Sequence, residues 1–364
     1  MQCRSRSIQC IALVSAILLL PMVVPCSEGQ LFLPAELHDA SLRAIDAVFN
    51  EHYREAEEIA GKVIRAYPEH PAGYFYRAVA LYSWMETHMS EAREDEFIRA
   101  CEQAIEKGES LADKSPDEIG ARFFTAGAEG FLGMYELHHG RWLSAFKWGS
   151  KGIAILRELK QRCTAADLDY GIGSYEYWRT ALSQRLWWMP KGEDRRTAGI
   201  EKLLRVRKQG VYTQSFAGEG LLQAYLNENR FPEALAMSDE MLSLYVNSRI
   251  FIFGRAQALD GLKHFDESGK IYRRILGCAG TTPSQDSTVL AYAHFKIGKI
   301  DYSRGHYDEC LHEWDDMRSI GAGKDGMKEL KKYFDEEAAL RREAKAGQNR
   351  ESGSLFRESF RNQR

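Results

Sequence analysis

His52-Tyr53-Arg54-Glu55-Ala56, Gly140-Arg141-Trp142-Leu143-Ser144-Ala145, Asn229-Arg230-Phe231-Pro232-Glu233-Ala234, His264-Phe265-Asp266-Glu267-Ser268 and Gly305-His306-Tyr307-Asp308-Glu309-Cys310 are five versions of one phrase. Each runs from a short polar turn through an aromatic to a small residue that opens an amphipathic stretch. The small residues fall at Ala56, Ala145, Ala234, Ser268 and Cys310, and the interval from Ala234 to Ser268 is 34 residues. Fainter copies centred on Ala100 and Ala198 fill the wide gaps, so the phrase predicts seven helical hairpins.

The flanking sequence agrees. Apolar residues recur at helical spacing, as in Tyr74, Ala78, Leu81 and Tyr82, in Leu221, Leu222, Tyr225 and Leu226, and in Phe295, Ile297, Gly298 and Tyr302. No strand-like run stands out beyond Pro34, so the expected fold class is all-α. Ser115-Pro116-Asp117-Glu118 has a capping hydroxyl, an early Pro and a Glu three residues on, which predicts a helix starting there.

The 34-residue interval, with an aromatic and then a small residue, resembles the tetratricopeptide repeat (TPR) family. Leu132-Gly133 and Ile297-Gly298 match the Leu-Gly pair of that repeat's first helix, and Pro68 matches its terminating Pro. The resemblance implies a right-handed superhelical solenoid of about seven antiparallel hairpins over residues 35–323, with an inner, concave wall supplied by the first helix of each hairpin. Carried onto this chain, that wall comprises Phe75, Tyr82, Phe216, Gln223, Asn227, Phe253, Gln257, Tyr292, Phe295, Lys299 and Tyr302. The family's chaperone-tail readers clamp a carboxylate with Lys, Arg and Asn. At the matching places this chain has Gln223, Gln257 and Lys299, so that clamp is not expected.

Two segments break the pattern. Residues 164–193 read as an inserted hairpin rich in aromatics, with Tyr170, Tyr175, Tyr177, Trp178, Trp187 and Trp188 close together. Residues 324–346, rich in Lys, Glu and Ala, read as a capping helix, and 347–364 as a disordered tail.

The N-terminus points to export. Arg4 and Arg6 precede an apolar run from Ile8 to Val24, and small or polar residues follow at Pro25, Cys26, Ser27 and Gly29. That is the layout of a cleaved secretory signal over residues 1–29. Retention as an anchor and lipidation at Cys26 are the alternatives; Pro25 fits poorly before a lipidated Cys. The expected location is therefore bacterial periplasm or outer membrane. Of the seven cysteines, Cys101, Cys163, Cys278 and Cys310 lie beyond the leader without Cys-x-x-Cys spacing, which favours buried thiols over a metal cluster.

The 364 residues carry 49 Lys plus Arg against 52 Asp plus Glu, a net charge of −3, and nothing in that balance calls for nucleic acid. Gly171-Ile-Gly173 has no third Gly for a dinucleotide loop, and Gly321-Ala-Gly323-Lys324 lacks a following Ser or Thr. The neighbours His138 and His139 point about 100° apart on a helix and do not converge on a metal. Paired carboxylates also allow an α/α toroid that cleaves glycans, but 52 acidic residues make such pairs common by chance. Neither catalytic residue, metal nor cofactor is expected.

Two functions stay open. One is a non-enzymatic scaffold that holds another protein or peptide of the cell envelope on the concave wall. The other is capture of a glycan or small ligand by Tyr170, Tyr175, Trp178, Trp187 and Trp188, with Asp167, Asp169, Glu176, Glu193 or Asp194 supplying polar contacts. The bland alternative for these aromatics is core filling.

Overall fold

The computed structural model describes residues 33–116, 118–187, 189, 191–278, 283–320, 330–346 and 348. The leader 1–29 with Cys26, residue Trp188, and all of the 347–364 tail but residue 348 lie outside the described residues. Among the described residues the chain is all-helical with no strand. The helices are α1 (Ala35–Phe49), α2 (Tyr53–Ala66), α3 (Ala72–His88), α4 (Glu94–Lys114), α5 (Ile119–His138), α6 (Trp142–Arg162), α7 (Leu168–Arg185) and α8 (Arg196–Gln209). They continue as α9 (Gln214–Asn227), α10 (Phe231–Leu244), α11 (Arg249–Gly261), α12 (Phe265–Cys278), α13 (Pro283–Arg304), α14 (Tyr307–Ser319) and α15 (330–346).

The five phrases land on one structural position. Their small residues are the fourth residue of α2, α6, α10, α12 and α14. The turn before each helix, and that before α4, also shares one geometry. Glu51, Met89, Gly140, Asn229, Lys263 and Gly305 have positive φ, the left-handed cap of a Schellman motif. The next residue closes the six-residue bond in every case: His52 N–H to Ala47 O, Ser90 to Met85, Arg141 to Glu136, Arg230 to Tyr225, His264 to Leu259 and His306 to Asp301, all at 2.8–3.0 Å. Carbonyls left free at the ends of α1, α3, α5, α9, α11 and α13 are thereby satisfied while the chain reverses.

No such turn is found among the described residues of the α7–α8 connection, 186–195. Within residues 164–193 the described residues hold one long helix, α7. In the faint copy of the phrase the buried small residue is Gly199, the fourth residue of α8, and Ala198 is only half-buried. The helix expected from Ser115 starts at Ile119; Ser115 ends α4, and no side chain caps α5.

Every consecutive pair of helices from α1 to α14 is in contact, and the odd-numbered helices also touch one another from α1 through α11. The array bends far enough to meet itself. α3 touches α13; Phe49, at the end of α1, lies 5.0 Å from the Phe216 ring of α9 and 5.9 Å from Phe251 of α11. Glu51 binds Arg249 Nε at 2.7 Å. One apolar core runs from Leu37 to Ala258, and a second from Phe253 to Ala344. α15 lies against α13 and α14, with Tyr333 4.9 Å from Tyr292 and 5.2 Å from Phe295, and Arg341 2.8 Å from Asp315. No helix among the described residues is long and apolar enough to cross a membrane.

Candidate functional site

The expected concave wall is largely filled by the chain itself. Phe75, Tyr82, Phe216, Phe253, Tyr292 and Phe295 are all buried. This corrects the expectation of an open aromatic wall, and the physical reason is self-coverage: Phe49 enters among the α9 and α11 aromatics, and α15 covers α13. Lys299 is tied to Glu336 at 2.6 Å, and the Tyr302 hydroxyl donates to Glu343 at 2.6 Å. Asn227 donates to Tyr177 at 2.7 Å and accepts from Arg185 at 2.7 Å. Gln223 is exposed and Gln257 half-buried.

The α7 aromatics behave differently. Tyr170, Tyr175 and Trp178 are half-buried and line one cavity of about 170 Å³ between α5, α6 and α7, closed on its inner side by Phe75 and Phe216. Glycines make the room. Gly133 of α5 sits against Gly149 and Ala145 of α6, where an added Cβ would lie 3.2 Å from the Gly149 nitrogen, and Gly152 sits against the Ala126 carbonyl. The two helices therefore pack backbone to backbone, which leaves a shallow face toward α7. Tyr175 partly fills it, 3.4 Å from where Gly149 would carry a Cβ, whereas a Cβ on Gly130 would meet nothing within 4 Å. The remaining lining is mostly apolar, with Phe131, Met134, Leu137, Phe146 and Leu182 among it.

The carboxylates expected to assist a ligand are engaged in structure. Asp167 is buried and accepts from Tyr212 N–H at 2.8 Å, Thr213 N–H at 2.7 Å and Thr213 Oγ1 at 2.7 Å, holding the start of α9. Asp169 pairs with Lys160 at 2.9 Å and Arg205 at 2.6 Å. Glu176 takes Lys202 at 2.7 Å and Arg195 at 3.2 Å. Glu193 binds Arg195 at 3.0 Å, and Asp194 binds Arg196 at 2.7 Å. Tyr177 is core, donating to the Ala224 carbonyl at 3.0 Å. Trp187 is 91% exposed and stands apart from the cavity.

A polar cleft adjoins the cavity, sharing Tyr175 and Arg179 with it and adding Arg157, Thr180 and Arg195. Arg157 and Arg179 are exposed and carry no ion pair among the described residues. Sequence reasoning did not single them out, because an isolated Arg on a helix has no signature until its neighbours are known.

Sequence reasoning also missed a titratable group on the inner side. His138 Nδ1 lies 3.0 Å from the Tyr82 hydroxyl and 3.2 Å from Glu86. Glu219 of α9 faces them: burial, reinforced by repulsion from Glu86, pushes its carboxyl up to about 7. Burial also pushes Glu86 up, but the attraction and hydrogen bonding of His138 outweigh it and hold Glu86 below its ordinary range. Of these groups Glu219 is the one brought close to neutral pH. As expected of adjacent helical residues, His139 turns elsewhere, to Glu91 at 2.6 Å. Among the described residues no three His, Cys, Asp or Glu side chains could hold a metal ion, and Cys101, Cys163 and Cys310 are buried.

No known family model matches the chain, and no curated protein is significantly similar to it.

Proposed function

We propose that this chain is a non-enzymatic binding protein, exported to the bacterial envelope and built as a right-handed superhelix of seven TPR-like hairpins, whose cargo is a small apolar ligand. The observation that carries the reading is the apolar cavity formed by Tyr170, Tyr175 and Trp178 against the glycine-lined faces of α5 and α6. A well-packed interior fills such space with side chains. Here the sequence provides Gly130 instead, with nothing near it. Cavities of this size lined by apolar groups accept apolar molecules the size of a benzene ring or somewhat larger. The scarcity of polar groups in the lining favours such a ligand over a glycan, whose hydroxyls need partners.

The TPR-like reading is supported by the six shared turns and by Gly133 meeting Ala145, the small residue of its own hairpin. Export rests on the sequence of residues 1–29.

Docking of another protein is the second reading. Its support is Trp187, a large apolar side chain left 91% exposed.

The test is the uptake of a neutral fluorescent probe, N-phenyl-1-naphthylamine. Its emission should rise with the native chain and stay low with a Gly130→Phe variant whose circular dichroism is unchanged. Equal uptake by both, or none by the native chain, overturns the cavity reading.

A further inference from the structure

We propose that the occupant of the α5–α6–α7 cavity is a single-chain amphiphile with an anionic head, its tail among Phe131, Phe146, Tyr175 and Trp178 and its head between Arg157 and Arg179. The proposal rests on the cavity reading above and adds the chemistry of the mouth.

Charge is the first argument. The cleft that adjoins the cavity contains Arg157, Arg179 and Arg195 beside Glu176 and Glu193. Both carboxylates are already occupied: Glu176 by Lys202 and Arg195, and Glu193 by Arg195. Arg157 and Arg179 are left without a counter-charge among the described residues, in a chain whose overall balance is −3. Most of the chain's other arginines do have partners, so two without one beside an apolar opening are a local excess of positive charge. Arginine also matches carboxylate and phosphate in geometry, presenting its donors as a planar fork.

Shape is the second argument. Arg179 lies one helical turn beyond Tyr175 and next to Trp178 on α7, and it borders both the apolar cavity and the polar cleft. A ligand that fills the cavity and exits at this rim must therefore change from apolar to anionic within about one turn of helix, roughly 5 Å. The cavity lining spans Phe123 to Leu137 on α5, about 20 Å of helix, so an extended chain suits the space better than a compact ring. Fatty carboxylates and phosphate monoesters with one chain share this design.

The experiment displaces N-phenyl-1-naphthylamine from the purified full chain with decanoate, decyl phosphate and decan-1-ol, using native protein and an Arg157→Gln/Arg179→Gln variant. In the native chain at least one anion should displace the probe at about tenfold lower concentration than the alcohol, the advantage expected from two exposed charge contacts. That advantage should vanish in the double variant, with decan-1-ol unchanged within about twofold. Whichever anion displaces better identifies the head as carboxylate or phosphate. If decan-1-ol equals both anions on the native chain, the head-group proposal fails while the cavity reading stands. If no compound displaces the probe, or the probe does not bind, the cavity reading itself fails.

Discussion

Asp167 is the side chain whose loss separates a structural role from a ligand contact. Its carboxylate takes the N–H groups of Tyr212 and Thr213 and the Thr213 hydroxyl at 2.7–2.8 Å, with Val211 N–H at 3.1 Å. α9 has no side-chain cap of its own at Thr213, so this carboxylate, reaching across from the start of α7, organises the turn that leads into it. Asp167→Ala leaves at least two buried amide donors unpaired, at about 1–3 kcal/mol each, and removes a charge-assisted set of bonds. Water entering the vacated space recovers part of that, so we expect a net loss of about 3–5 kcal/mol. Asp167→Asn keeps the shape and one acceptor oxygen and should lose less, about 1–3 kcal/mol. Urea unfolding followed by circular dichroism at pH 7 measures both. A loss below about 1 kcal/mol for the Ala variant would refute the capping role and return Asp167 to the list of ligand contacts.

Four further outcomes are expected. Gly199→Ala should destabilise by about 1–3 kcal/mol through overpacking, because its Cβ would sit 2.7 Å from the Gly173 carbonyl and 3.0 Å from the Tyr177 nitrogen. Gly130→Ala, the same chemical change in open space, should stabilise by about 0.5–1 kcal/mol; melting temperatures that move in the same direction for both would contradict the packing argument. Lys263→Gly should stabilise by about 1 kcal/mol, since Lys263 is exposed and has φ +62°, and unchanged urea midpoints would count against the turn geometry. Glu129 is 2% exposed with one carboxylate oxygen unpartnered, and burial pushes it up to about 7 from an ordinary 4.5. The folded state then holds a proton that the unfolded state has lost, so this group's contribution to stability falls as pH rises from about 4.5 to 7. Glu129→Gln should flatten that decline between pH 4.5 and 7, and equal slopes for both proteins would remove the assignment.

Local features were legible in the sequence, and long-range closure was not. The aromatic-to-small phrase marks the fourth residue of five helices, and at Ala145 that residue meets Gly133 of the preceding helix, a packing demand that leaves its mark at a fixed spacing. His138 and His139 diverge for reasons of helical geometry alone. By contrast, Phe49 and Phe216 are separated by well over a hundred residues, and nothing in either stretch announces that their rings meet edge to face. The assignment of Phe75, Phe253 and Tyr292 to an open wall failed for this reason: helical period says which face is apolar, not what covers it. Tyr175 and Trp178 stood out by density, but their cavity depends on glycines of α5 and α6 that read equally well as packing sites. Glu219 carries no motif, and its raised carboxyl is a product of burial in the folded chain, reinforced by Glu86.

The Glu51–Arg249 clasp joins residues 198 positions apart. Hairpins closed by six-residue bonds need little chain entropy and can form early and independently, whereas a loop of this length must wait until most of the helices between its ends are in place. Assembly of this molecule therefore has two tempos, rapid local zipping and a late global fastening. That fastening joins α1 and the turn after it to α9 and α11.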